Sequence, residues 1–326
     1  MSAAAALADA AATAPALRFV DVKKRFGARA ALAGLTLEVP RGSFFGLIGP
    51  NGAGKTTAFS LACGFLQQDA GEIEILGLRG YSPAQLKGRV LAMPQDAALG
   101  RETRCLEHLT YFGRLQGLSA AEARREGVRV LEEVGLADRR DARTKTLSHG
   151  MLRRLSIAQA LLARPELVLL DEPTSGLDPR HAHELRELLR RTRVDGRTIV
   201  VSSHNLHELE ELCDHVAFID RGVVLAAGPT DVMTGRGQEI EIELGAGPTP
   251  TAAVAAAVTE AFAEGPPPQV AWDDARRQLS IRFRPSPDRQ PEDVIGVALK
   301  ALLAAGARVA GVRRGTSLER KFFEIT

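Results

Sequence analysis

Eight consecutive residues have the types and spacing to hold a phosphate chain. Gly49-Pro50-Asn51-Gly52-Ala53-Gly54-Lys55-Thr56 fits the pattern G-x-x-x-x-G-K-[ST] at every fixed position. Glycines let such a backbone fold into a nest whose N–H groups converge on phosphate oxygens. The Lys55 ammonium would reach the β- and γ-phosphates of a nucleotide, and the Thr56 hydroxyl would ligate Mg²⁺. Thr57 follows as a further nucleotide contact. A second chemical group lies far downstream, where Leu167-Val168-Leu169-Leu170 ends in the acids Asp171 and Glu172. Asp171, at the end of an apolar strand, suits a magnesium ligand acting through water. Glu172 suits a general base that polarises an attacking water. A capping or surface acid is the plainer alternative for Glu172, but Pro173-Thr174-Ser175-Gly176-Leu177-Asp178 reads as a turn rather than a helix start.

A phosphate loop needs a strand feeding it and a helix leaving it. Residues 43–48 and 55–63 have those patterns. Further strands are expected at 17–22, 35–39, 167–170 and 198–202, and further helices at 105–115, 120–134 and 152–163. Short apolar runs alternating with helices imply an α/β layer fold with buried parallel strands. After about residue 235 the composition shifts to Gly/Pro-rich breakers at 245–250 and 266–268. There the pattern is strand (239–244), helix (252–264), two strands (269–272 and 278–283), helix (292–305), strand (308–313) and a last helix (317–324). That order gives a small α+β, ferredoxin-like module without a catalytic constellation of its own.

Composition bounds the reading. The 326 residues correspond to about two domains. Hydrophobic residues at 45% and charged residues at 25% suit a packed core rather than wholesale disorder. Forty-two basic against 40 acidic side chains leave a net charge of +2, without the basic footprint of a nucleic-acid binder. Cys63, Cys105 and Cys213 lie far apart, which disfavours a disulfide framework or zinc site and fits a reducing cytoplasm. Residues 1–16 are mostly alanine and lack a basic residue, so a flexible tail rather than a signal peptide is expected. No apolar run is long enough to span a membrane.

The order of motifs along residues 17–235 resembles the ATP-binding subunits of ABC transporters. After the phosphate loop comes Met93-Pro94-Gln95-Asp96, similar to the family's Q-loop. The resemblance implies that Gln95 completes the Mg²⁺ shell and senses a membrane partner. Leu147-Ser148-His149-Gly150-Met151 resembles the signature loop LSGGQ, matching at Ser148 and Gly150 and departing at His149 and Met151. In the family this loop completes the ATP site of the opposite subunit, so Ser148 and Gly150 are expected to act in trans. Ser175-Gly176-Leu177-Asp178 resembles the D-loop, with Asp178 communicating across the dimer. Ser202-Ser203-His204 resembles the switch region, where His204 would hold the γ-phosphate and orient water with Glu172. Phe26 occupies the place of an adenine-stacking aromatic, with core packing as the alternative. The remaining histidines, including His181 and His183, read as solvated helix residues.

The resemblance implies a P-loop ABC cassette over 17–235, with a helical subdomain at about 96–160, followed by the small domain at 236–326. It implies ATP hydrolysis with Mg²⁺, dimerisation with a second ATP-binding subunit, separate integral membrane permease subunits, and a peripheral place for this chain, through those subunits, at the cytoplasmic face of the inner or plasma membrane. The signature variant and the end Ser317-Leu318-Glu319-Arg320-Lys321-Phe322-Phe323-Glu324 resemble exporter cassettes for drugs, lipids or polysaccharides. An importer ATPase subunit, or a soluble ABC ATPase acting on ribosomes or DNA, is the alternative. The apolar and aromatic run Thr110-Tyr111-Phe112 with Leu115 suits a membrane partner's helix, against core packing. Leu318, Phe322 and Ile325 form a stripe suited to packing on the small domain's own sheet or to a dimer contact.

Overall fold

The computed structural model describes residues 14–96, 99–100, 102–192, 196–235, 238–263, 266–286, 289–315 and 317–325. The chain divides into two units, Met1–Ala227 and Gly228–Ile325.

The first unit holds two sheets. β1 (Leu17–Phe26) pairs antiparallel with β2 (Arg29–Val39), and later with β4 (Ala70–Ile75), which is followed by the short β5 (Leu78–Arg79). The order is β2-β1-β4-β5. The second sheet contains β3 (Phe44–Ile48), β6 (Val90–Met93), β7 (Leu167–Asp171), β8 (Thr198–Ser203), β9 (His215–Asp220) and β10 (Val223–Pro229), in the order β10-β9-β3-β8-β7-β6. From β9 to β6 every pairing is parallel. β3, β7 and β8 are buried at every position, which is why their apolar residues stand next to one another rather than alternating. One core joins Phe19, Leu35 and Ile75 of the first sheet to Leu47, Leu169 and Val200 of the second.

α1 (Lys55–Ala62) follows β3 directly. α2 (Cys105–Leu115), α3 (Ala120–Glu133) and α4 (His149–Ala160) pack on one another between β6 and β7. α3 starts at a reciprocal cap, where the Glu122 carboxylate accepts the Ser119 N–H at 2.9 Å and the Ser119 hydroxyl accepts the Glu122 N–H at 3.3 Å. α5 (Pro179–Thr192) follows the turn after β7, and α6 (Leu206–Leu212) follows β8.

Three differences from the sequence reading have local causes. The helix expected at 152 starts at His149, because the Ser148 hydroxyl caps it by accepting the Met151 N–H at 3.3 Å. The tail expected through residue 16 is tied into the sheet at its end: Ala16 is fully buried, and its N–H donates to Val39 O at 2.9 Å. Residues 1–13 of that expectation lie outside the described residues. The division between units falls after Ala227 rather than after residue 235, because α7 (Thr230–Thr234) packs against the last helix of the second unit.

In the second unit the order is β11 (Glu239–Leu244), α8 (Thr251–Ala261), β12 (Gln269–Asp273), β13 (Gln278–Arg282), α9 (Pro291–Ala304), β14 (Val309–Arg314) and α10 (Leu318–Ile325). The antiparallel sheet runs β12-β13-β11-β14, the split βαβ arrangement of ferredoxin-like folds. Ile240, Ile242, Leu279 and Ile281 meet Val254, Val258, Val294 and Leu302 in its core. The helix expected to run to residue 264 ends at Ala261, and residues 264–265 lie outside the described residues. α10 packs within this unit: Leu318 is fully buried, and Arg320 Nη1 donates to Glu241 Oε1 at 2.6 Å.

Candidate nucleotide site

The glycine-rich loop leaves β3 at a point where no side chain fits. A Cβ on Gly49 would lie 2.2 Å from the main-chain oxygen of Ile219 at the end of β9. Gly54 has φ 113° and abuts Leu32 and Ala31, so it is restricted to glycine by both conformation and space. The Gly222 N–H donates to Ala53 O at 2.9 Å and fastens the loop to the turn after β9.

Lys55 opens α1 and is buried, with its side chain 6% exposed. Its Nζ donates to Gly49 O at 2.6 Å and Pro50 O at 3.3 Å, and lies 3.4 Å from Glu172 Oε1. A cavity of about 430 Å³ lies over this loop. Its wall contains Phe26, Pro50, Asn51, Gly52, Gly54, Thr56, Thr57, Gln95 and Glu172 of the expected site, together with Lys55. Phe26 is 51% exposed at the end of β1, so it does not fill the core as its alternative reading has it, and Lys24 Nζ lies over its ring at 5.8 Å.

The two acids at the end of β7 have different surroundings. Asp171 is buried, and its Oδ1 accepts the hydroxyl proton of Ser202 on β8. Glu172 is also buried rather than a surface acid, and its backbone sits at φ 49°, a left-handed conformation costly for a residue with a Cβ. Its N–H donates to Ser202 Oγ at 3.0 Å and Ser202 O at 3.2 Å. His204 Nδ1 lies 2.9 Å from Glu172 Oε2, so one carboxylate faces the lysine on one oxygen and the imidazole on the other.

Gly49, Ala53, Ser148, Gly150, Asp171, Asp178 and His204 are not in the cavity wall. Ser148 caps α4, and a Cβ on Gly150 would lie 3.0 Å from the ring of His181. Asp178 caps α5, with Oδ1 accepting the N–H groups of Arg180 and His181, both at 3.1 Å. Its Oδ2 pairs with the His181 ring, and that contact holds the Asp178 carboxyl below its ordinary range. His181 is therefore a fixed partner of Asp178, not simply the solvated helix residue expected from sequence.

Three further residues shape this region without being singled out as site residues by the sequence. Arg29 lines the cavity beside Gly52. Ser202 joins the two acids. Arg153 of α4 is 9% exposed and donates to the main-chain oxygens of Gln95, Pro173 and Glu172. Burial pushes its pKa down, while Asp171, Asp96 and Glu172 oppose that. The available clue is its register: Arg153 shares a face with Gly150, Ile157 and Ala160, all buried, so a charge stands in the buried stripe of a helix.

The profile of the ABC transporter family matches residues 32–175. The chain is 37% identical over 213 residues to the linearmycin resistance ATP-binding protein LnrL of Bacillus subtilis (strain 168), covering 65% of this chain and 68% of the relative. It is 39% identical over 223 residues to the Nod factor export ATP-binding protein I of Ralstonia nicotianae, covering 68% and 69%. The chain belongs to the ABC transporter family. Its fold matches a solved ATP-binding subunit of an ABC transporter with TM-score 0.60 at 32% identity, over 68% of this chain and 92% of that one. An ABC cassette solved in its ADP conformation matches with TM-score 0.60 at 26% identity, over 67% and 92%. As an ATP-binding subunit of this family, the ABC chain is an ATP hydrolase. Among its described residues, no helix is long and apolar enough to cross a membrane.

Proposed function

We propose that this ABC subunit hydrolyses ATP between two ATP-binding subunits and thereby drives separate membrane-spanning subunits of an exporter. The observation that carries the reading is the placement of Glu172 between Lys55 and His204 on the wall of the cavity headed by a complete phosphate loop. Lys55 and the N–H groups of the loop, Pro50 having none, hold the phosphates. Phe26 stacks on the base without reading its edge, which leaves strict preference for adenine unspecified. Glu172 takes the proton of the attacking water, and His204 fixes the carboxylate and meets the γ-phosphate. Ser148 and Gly150 complete the site of the second subunit, and Asp178 lies at that shared interface.

Thr56, Gln95 and Asp171 offer a hydroxyl, an amide oxygen and a carboxylate, a donor set of hard oxygens that fits Mg²⁺. When bound, the ion neutralises charge on the β- and γ-phosphates. Thr56 is exposed at the first turn of α1, Gln95 is exposed on the cavity wall, and Asp171 is held by Ser202.

Tyr111 and Leu115 support a membrane partner. They lie one turn apart on α2 and are 61% and 49% exposed, so they are not core residues. They form an anchor for a helix of the membrane subunit, placing the chain peripherally at the cytoplasmic face. Export is favoured over import by the relatives named for Nod factor export and linearmycin resistance. The near-neutral charge supports no nucleic-acid partner.

The test is a pull-down of the tagged chain from detergent-solubilised membranes of its host, read by mass spectrometry. A stoichiometric multi-span protein is expected. Recovery only from the soluble fraction, with ribosomal proteins or nucleic acid, would overturn the transport reading.

A further inference from the structure

Arg153 stands on α4 five residues after the capping Ser148. Its three hydrogen bonds all go to main-chain oxygens. Nη1 donates to Gln95 O at 2.9 Å, Nε donates to Pro173 O at 2.7 Å, and Nη2 donates to Glu172 O. The side chain is absent from the wall of the nucleotide cavity, so it does not meet ATP within this chain.

Glu172 is the residue with the strained backbone among these partners. It is held at both ends. Ser202 takes its N–H, and Arg153 takes its carbonyl. Relaxing Glu172 to an extended conformation would turn its peptide groups away from one or both of these partners. The third bond of Arg153 reaches the loop after β6, whose Gln95 side chain lines the nucleotide cavity. One side chain thus joins the helix capped by Ser148, the Gln95 loop and the Glu172 backbone. A planar guanidinium has donors on several edges and can serve three carbonyls at once; the single nitrogen of lysine cannot reproduce that fork.

We propose that Arg153 is a positioning residue for ATP hydrolysis: it fixes the Glu172 backbone in the conformation that sets the carboxylate against Lys55 and His204, and it links the Gln95 loop to that carboxylate. This rests on Glu172 acting as the base.

The test compares steady-state hydrolysis, ATP affinity and thermal midpoint of the full chain for Arg153→Met, Arg153→Lys, Glu172→Gln and the double variant Arg153→Lys/Glu172→Gln. Arg153→Met is expected to lower kcat by about 100-fold, the cost of a misplacement near 1 Å, with little change in KM or ATP affinity. Arg153→Lys is expected to fall between Met and the parent. On the Glu172→Gln background, Arg153→Lys is expected to cause no further fall, because the group it positions is already gone. If Arg153→Met does not fold, the lysine variant and the double variant carry the test. Parent-like kcat in the Arg153 variants would overturn the proposal. So would a parallel change of kcat, KM and thermal midpoint, or a double variant slower than Glu172→Gln alone. Parent-like kcat in Glu172→Gln would instead overturn the assignment of the base, while the single Arg153 variants still report whether Arg153 affects turnover.

Discussion

His204 Nδ1 lies 2.9 Å from Oε2 of Glu172, while Lys55 Nζ lies 3.4 Å from Oε1 of the same carboxylate. The carboxylate side chain is only 6% exposed, so these two neighbours, rather than water, orient it. Replacing Glu172 by Gln keeps the shape and removes the base. Turnover should fall by about 10²–10⁴-fold, the range for a positioned general base, while ATP binding is retained. Phosphate release measured beside ATP affinity checks this; turnover near that of the parent would dismiss Glu172 as the base.

The same geometry predicts a non-additive pair in the nucleotide-free chain. Lys55→Ala leaves the Glu172 charge buried without its lysine, and breaking a buried pair costs about 3–5 kcal/mol. Adding Glu172→Gln removes the stranded charge, so the double variant should be more stable than Lys55→Ala alone. Urea unfolding of the parent, both single variants and the double variant gives the coupling energy. A double variant less stable than Lys55→Ala would show that the contact is not a stabilising pair.

Gly49→Ala tests the floor of the phosphate loop. Its methyl would need space held by the Ile219 carbonyl, 2.2 Å from the Cβ position. Overpacking of this kind costs about 1–3 kcal/mol, and here it also displaces the amides that face the phosphates. Both the thermal midpoint and ATP affinity should drop; loss of neither would mean the loop reaches the nucleotide by another path.

His108 of α2 gives a pH signature. Burial pushes its pKa below the ordinary value of 6.5, and the Nε2 contact to Gln159 Oε1 at 2.8 Å opposes that without reversing it. The unfolded chain therefore binds a proton at a higher pH than the folded chain does. The contribution to stability is full above the unfolded value and is lost as pH falls through the folded one. The denaturation midpoint should drop between about pH 7 and pH 5, and His108→Asn should flatten that part of the curve relative to the parent. Identical slopes in the two proteins would remove His108 from the acid response.

The phosphate loop is legible in the sequence because its function is written in adjacent residues and its flanks are a strand and a helix of ordinary pattern. The parallel strands β3, β7 and β8 are legible because burial on both faces leaves their apolar residues consecutive rather than alternating. β9 carries a comparable run at 216–219 between polar His215 and Asp220 and is not among the strands expected, although its pattern does not differ in kind from that of β8. The start of α4 is obscured by a glycine at position 150, which lowers helix propensity, whereas the Ser148 cap and the fit against His181 decide the matter. The roles of Arg153 and Ser202 are not legible from any motif, and register shows only that Arg153 stands among the buried positions of its helix. Their partners are carbonyls and carboxylates far away in sequence, and a bond to a main-chain oxygen requires no particular residue type on the accepting side.

The contact between Gly49 and Ile219 also bears on how the chain is made. The phosphate motif is complete by Thr56, yet the carbonyl it rests on and the Gly222 amide that fastens Ala53 emerge from the ribosome about half a chain later. β3 likewise waits for β8 and β9 before it has neighbours on either side. Closing so long a loop costs entropy that short-range contacts cannot return in the meantime. During synthesis the nascent chain thus carries a finished motif without a finished pocket, and a fragment ending before Ile219 would keep every residue of the pattern yet lack the support that shapes it.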